Sequence, residues 1–348
     1  MAGLNPKIVV SREGKAGLKK KNTLALVLGL LVVLALIIIA FPSLLSREIQ
    51  AEQSQRSKDP FPVSVDPKNE TIKDSVYVDA LFKSEHPSLS AAVIEARDTL
   101  GLLANAISSL PVNAILGKDT TRFVTVYPGY RREQAANAFG KVLGWSTLEK
   151  KQFLALTESD APSLSEGQFV PDIYEVKSDA NPSDVQNILD TRFNDNVLSR
   201  YSTSTEAILP VGDTLTIASL IQRETSDPEE MRIISGIIWN RLFANMNLQI
   251  DATLQYAKGS VQGSTKGVWW PKLVSNDKYI KSPYNTYQHE GLPPSPIANP
   301  SVLAVIAALN PKKTGCIFYF HDKEGNFHCS PTYEGHVAML KQYYGRGK

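Results

Sequence analysis

An unbroken run of 18 apolar or small residues, Leu24–Phe41 (LALVLGLLVVLALIIIAF), constrains this 348-residue chain more than any other feature. A helix apolar on every side needs either a large core or lipid around it. At 1.5 Å per residue the run covers about 27 Å, close to the hydrocarbon thickness of a bilayer. Lys7, Arg12, Lys15, Lys19, Lys20 and Lys21 precede it against one acid, Glu13, whereas Arg47, Glu48, Glu52, Arg56, Lys58 and Asp59 mix the signs after it. The positive-inside rule then predicts a cytoplasmic tail over residues 1–22, a transmembrane helix over 23–42 and everything later outside. The competing reading is a cleaved signal peptide, whose apolar core is only about 7–15 residues long and is followed by a small-x-small site. The sequence FPSLLSRE, which begins with the last residue of the run, is a poor cleavage site, so the reading adopted is an uncleaved single-pass anchor.

The rest of the chain has room for one or two domains. Net charge is +2, and no basic patch interleaved with aromatics stands out, which argues against nucleic acid as a partner. Cys316 and Cys329 form no CxxC pair, and the five histidines are scattered. No metal-ligand spacing emerges, so neither a metal nor another cofactor is expected.

Residues 43–72 are polar, contain proline and lack periodicity, which predicts a tether. Ser88–Leu110 has a helical pattern, Arg122–Tyr127 (RFVTVY) is strand-like, and helices are expected over Arg131–Leu143 and Thr147–Leu156, the latter capped by Thr147. Strand, turn and helix in this order suit a small α+β module.

Thr214–Thr225 (TLTIASLIQRET) sets Ile217, Leu220, Ile221 and Glu224 at i, i+3, i+4 and i+7, one stripe of a helix. A glutamate in line with buried residues loses hydration, and desolvation favours its protonated form. A carboxylic acid kept protonated near neutral pH can serve as a general acid. The bland alternative is a glutamate at the stripe's edge that snorkels to solvent or pairs with Arg223 or Arg241. Asp227-Pro228-Glu229-Glu230 starts the next helix, so Glu224 ends the previous one, where the helix dipole disfavours a carboxylate.

Residues 282–300 (SPYNTYQHEGLPPSPIANP) carry five prolines and polar aromatics. Long rigid loops usually line sites, although a packed surface loop reads the same way. Tyr284, Asn285, Thr286 and Tyr287 offer hydrogen bonds and flat faces suited to sugar rings. Residues 316–330 (CIFYFHDKEGNFHCS) read as a β-hairpin turning near Glu324-Gly325. Cys316 and Cys329 flank it, and a cross-strand disulfide depends on a strand register that the sequence leaves open.

Several ordered blocks resemble the endolytic murein transglycosylases of the YceG-like (MltG) type. Glu166–Tyr174 (EGQFVPDIY) resembles EGxFxPDxY, and Leu215–Thr225 resembles the family's ASIVExET helix. Asn240-Arg241-Leu242 matches NRL, and Leu248–Thr253 with Tyr256 matches LQxDxTxxY. Ser282–Tyr287 matches SPYNTY, Gly291–Pro300 matches GLPPxPIxNP, and Phe318–Phe320 with the segment to His336 is similar to the last hairpin and helix. The blocks span about residues 160–345.

The resemblance implies an α+β architecture: a transmembrane helix, a LysM-like subdomain over 73–160 and a mixed α/β catalytic domain over 161–348. Residues 76–121 depart from the family pattern. It implies an enzyme, a lyase of the bacterial plasma membrane with its catalytic domain outside. That enzyme cleaves the β-1,4 bond between N-acetylmuramic acid and N-acetylglucosamine in peptidoglycan glycan strands, leaves 1,6-anhydro ends and terminates nascent strands, with peptidoglycan synthases as partners. Glu224 falls on the family's catalytic glutamate. Asn240, Arg241, Gln249, Asp251, Tyr256, Tyr284, Asn285, Thr286 and Tyr287 are the expected substrate-binding residues. One protein carboxylate suffices when the substrate supplies its own nucleophile. Asp251 leaves a hydrolytic muramidase with two carboxylates open, and a non-catalytic wall-binding anchor is the reading from another class.

Overall fold

The computed structural model describes residues 13–56, 58–84, 91–109, 121–157 and 166–345. Lys7 and Arg12 of the expected tail lie outside them, as does the expected boundary near residue 160.

Helix α1 (Glu13–Gln55) includes a stretch long and apolar enough to cross a membrane. Leu30, Leu31 and Leu36 on it are exposed. The helix does not end at residue 42. Pro42 lies inside it, costing one backbone hydrogen bond, and the helix continues to Gln55. Residues 43–55 are therefore helical where a tether is expected from the sequence. Leu45 and Ile49, one turn apart, are buried against Ala104, Phe123 and Ile173, and half-buried Phe41 packs against them. Ser46 donates to Glu175 Oε2 (2.6 Å), and Arg56 reaches both oxygens of Asp172 (3.0 and 3.2 Å). Two apolar side chains at i and i+4 dock this turn because their partners come from distant sequence. Beyond it the chain lies on the body: Phe61 N–H donates to the Arg200 carbonyl and Ser64 N–H to the Leu309 carbonyl. Strands β1 (Val65–Asp66) and β2 (Thr71–Ile72) pair antiparallel, and α2 (Val76–Ser84) and α3 (Ala91–Ser108) follow.

The next unit has the order β3 (Thr121–Val126), α4 (Arg132–Leu143), α5 (Thr147–Leu156) and β4 (Asp172–Lys177). β3 and β4 pair antiparallel from Thr121↔Lys177 to Val126↔Asp172. Strand β3 finds its partner only after residue 160, so a boundary there would cut the sheet. The cap of α5 is Ser146, one residue before the expected Thr147: its Oγ accepts from Glu149 N–H, and the Glu149 carboxylate accepts from Ser146 N–H. Val124, Val126, Phe139, Trp145, Phe153 and Tyr174 form its core, with α6 (Pro182–Asn196) closing one side through Val185 and Leu189.

The larger body comprises α7 (Thr203–Ile208), α8 (Val211–Glu224), α9 (Pro228–Phe243), α10 (Asp251–Lys266) and α11 (Val302–Leu309), then hairpin β5 (Phe318–His321) and β6 (Phe327–Ser330) and helix α12 (Tyr333–Tyr344). Leu215, Ile217, Leu220 and Ile221 of α8 are all fully buried, each contributing about 1.5–3 kcal/mol. Asp227 caps α9 by accepting Glu230 N–H at 2.9 Å. At Gly236 an added Cβ would lie 2.2 Å from the Lys312 carbonyl oxygen, so only glycine allows that strand of chain to cross. A Cys316–Cys329 disulfide ties the hairpin together. The whole is a mixed α+β fold with one candidate N-terminal membrane helix.

Candidate active site

Glu224 is the last residue of α8, and Thr225 leaves in an extended conformation. The residue remains partly accessible at its mouth, while its carboxyl is packed among neighbours. Desolvation is the largest influence and raises its pKa above the usual carboxylate range. The charge of Asp251 pushes the same way, while a hydrogen bond from Tyr319, His321 and Arg223 oppose it more weakly. The Tyr319 hydroxyl donates to Glu224 Oε2 at 2.9 Å. Burial holds that hydroxyl well above its ordinary pKa, so it stays a donor.

Among the described residues no lysine or arginine lies within ion-pair distance of Glu224. The two arginines that could have paired with it are engaged elsewhere. The Arg223 guanidinium stacks 3.8 Å from the Trp270 ring centre. Arg241 donates from Nε to the Ile317 carbonyl (2.7 Å) and from a terminal nitrogen to the Leu248 carbonyl, and lies over Phe318. Its charge nevertheless acts on Tyr319 and Tyr287. A lone acid beside a fixed phenol, with a cation at the rear, can hold a proton at one defined point.

Opposite stands Asp251, exposed in the first turn of α10, accepting from the Tyr287 hydroxyl at 2.6 Å. Gln249 is exposed between buried Leu248 and Ile250, and its φ of 50° puts a non-glycine residue in the left-handed region. Such strain costs about 1–3 kcal/mol and clusters at functional sites. Its N–H donates to the Thr286 carbonyl, which ties it to the proline-rich loop.

Other residues expected to face sugar turn inward. Asn285 is fully buried, donating to the Lys278 and Ile280 carbonyls (3.0 and 2.8 Å) and accepting from Tyr287 N–H. Thr286 Oγ1 accepts from Ile250 N–H at 3.0 Å. Asn240 donates to the Thr314 and Cys316 carbonyls. These three spend their side chains on backbone and so position the loops that carry Tyr287, Asp251 and the hairpin. Tyr256 lies between the Arg131 guanidinium (4.2 Å) and the Tyr284 ring (4.7 Å), and Tyr284 shares a hydrogen bond with Ser295.

Tyr319 and His321 join the site with little in the local sequence to mark them. Two residues apart on β5, they share one face of the hairpin, where Tyr319 meets Glu224 and His321 lies 3.1 Å from Glu230 Oε2. The unbroken run of rings in FYFH is the only local signal, and the partner of Tyr319 lies 95 residues away.

A family model described as the YceG-like family matches residues 94–342. The chain belongs to the YceG-like family. Among similar proteins, an endolytic murein transglycosylase of Streptococcus pneumoniae is 27% identical over 246 residues, which covers 63% of this chain and 44% of that protein. Another, from Bacillus subtilis, is 34% identical over 129 residues, covering 37% of this chain and 34% of that protein. The chain thus spans less than half the length of these relatives. The crystal structure of a yceG-like protein from Listeria monocytogenes aligns with a TM-score of 0.54 at 25% identity, over 62% of this chain and 75% of that one. The YceG-like match takes in α4 and α5, both strands of the small sheet, and the body carrying Glu224.

Proposed function

We propose that this YceG-like chain is an endolytic peptidoglycan lytic transglycosylase with Glu224 as its single acid and base. The observation that carries the reading is Glu224 itself: unpaired, desolvated, still reachable, and held by the Tyr319 hydroxyl. Protonated Glu224 gives its proton to the glycosidic oxygen as the C1–O bond of N-acetylmuramic acid breaks. The resulting carboxylate takes the proton of the 6-hydroxyl, whose oxygen forms the new bond to C1 of its own ring. A 1,6-anhydro end results, no water is consumed, and Glu224 returns to its starting state. The internal nucleophile acts at high effective concentration. Tyr287, Gln249, Asp251 and Tyr284 are the proposed sugar contacts, with Arg241 stabilising charge from behind.

Helix α1 would anchor the enzyme in the bacterial plasma membrane, tail inside and catalytic body outside, where new strands emerge. The β3–α4–α5–β4 order supports a LysM-like subdomain. Termination of nascent strands beside peptidoglycan synthases follows from that placement.

The electrostatic influence of Asp251 on Glu224 favours one competitor, a muramidase in which Asp251 activates water. Mass spectrometry of strands cleaved by wild type, Glu224→Gln and Asp251→Asn separates the two. Anhydro ends that survive Asp251→Asn and vanish with Glu224→Gln support the transglycosylase. Hydrated reducing ends from the wild type would overturn it, and intact strands in every case would leave a wall-binding anchor.

A further inference from the structure

Among the described residues no strand pairs with the outer edge of β3 in its two-stranded sheet. Adjacent residues of an antiparallel strand send their backbone groups to opposite edges. The Asn105 side chain shows which residues face the open one: its Nδ2 donates to the Phe123 carbonyl (2.8 Å) and its Oδ1 accepts from Phe123 N–H (2.7 Å). A side-chain amide thus stands in for the first peptide of a missing strand. Two residues on, the N–H and carbonyl of Thr125 face the same way. They open into a groove of about 440 Å³ between α3 and α4.

Asp98 and Leu102 line one wall of the groove, Asn137, Ala138 and Lys141 the other, and Tyr130 and Trp269 stand at its end. That end adjoins the candidate active site. Gln134, also lining the groove, accepts from Trp270 Nε1 at 2.9 Å, and Trp270 carries the Arg223 guanidinium on its face. At Gly129, between Tyr127 and Tyr130, an added Cβ would lie 3.0 Å from an Arg223 terminal nitrogen. A single layer of side chains separates the groove from the residue preceding Glu224.

We infer that this groove binds the peptide stem of the glycan strand, laid in extended form along β3 as a third strand. The inference rests on the peptidoglycan reading. An open strand edge between two helices suits an extended peptide, because main-chain hydrogen bonds give the affinity and flanking pockets sort the side chains. Asp98 and Lys141, on opposite walls, match a peptide that carries both free amine and free carboxylate. Stems hang from the muramic acid, so a stem held beside Arg223 fixes which sugar reaches Glu224.

The test uses the full chain in detergent with uncross-linked strands, intact or stripped of their stems by an amidase. The two main-chain hydrogen bonds offered by Thr125 predict about a tenfold higher kcat/KM on stem-bearing strands. Ala138→Trp and Leu102→Trp fill the groove from opposite walls, so one misfolded variant leaves the other. Either should bring the two substrates to equal rates through KM, with the rate on stripped strands unchanged. Equal rates in the wild type, or a preference that survives both substitutions, would overturn the inference. If the wild type cleaves neither substrate, the transglycosylase reading fails, and binding of a fluorescent synthetic stem tetrapeptide then decides the groove alone. Saturable binding lost in either variant supports it, and no saturable binding refutes it.

Discussion

Glu224 and Glu166 are both pushed toward the protonated form by burial, yet only one can meet a substrate. Glu166 is 2% exposed at the junction between the small sheet unit and the larger body. One of its oxygens accepts from Arg132 N–H (2.9 Å), and the other lies 3.9 Å from Arg131 Nε with no hydrogen bond. Desolvation, helped by Glu133, raises it to about 8. Glu224 ends a helix at a partly open cleft and is touched by a hydroxyl that leaves its other oxygen uncommitted. A raised pKa therefore marks burial, and accessibility with a free oxygen marks a working acid.

The largest expected difference between the two is in turnover. Glu224→Gln should lower strand cleavage by about 10²–10⁴-fold with melting unchanged, as loss of a general acid does. Glu166→Gln should leave turnover within a few-fold of wild type. Equal losses would erase the distinction.

Next comes the pH dependence of stability. The folded chain holds a proton on Glu166 from about 4.5, the ordinary value, to about 8, and the unfolded chain does not. Stability then falls as pH rises across that window and levels off above it. Thermal melts of Glu166→Gln should lack this decline and exceed wild type most clearly above pH 8. A wild-type curve flat over that window would refute the assignment.

Gly167, beside Glu166, has φ +88°, and an added Cβ would sit 3.2 Å from Pro296. Gly167→Ala should cost about 1 kcal/mol or more in chemical denaturation while sparing turnover per folded molecule. The smallest effect is expected at Tyr319→Phe. Its hydroxyl favours charged Glu224, so removing it raises the Glu224 pKa further, and the alkaline limb of the pH–rate profile moves to higher pH. A shift to lower pH would contradict the role given to Tyr319.

The two glutamates also differ in how far the sequence reveals them. Glu224 was legible because its helix buries one stripe and the residue continues that stripe. The hairpin and the start of α9 were legible through turn and capping residues. Residues 43–55 were not, since Leu45 and Ile49 are too few to make a pattern and dock on Phe123 and Ile173 far along the chain. The roles of Asn240, Asn285 and Thr286 were equally hidden. A polar side chain that binds sugar and one that holds a loop look alike until its partners are known. Tyr319 needed the long-range contact itself.

Helix α1 runs past Pro42 into the folded body without leaving helical conformation, so facing and height are coupled. Each residue of a helix advances about 1.5 Å and turns about 100°. Two residues inserted between Phe41 and Leu45 would swing the body to the far side of the helix axis, or break the seam at Leu45 and Ile49. Seven would raise it by about 10 Å and return it to nearly the same bearing. In the proposed membrane-anchored enzyme, α1 would thus act as a keyed shaft, setting the compass direction from which a strand would enter as well as the distance it would travel.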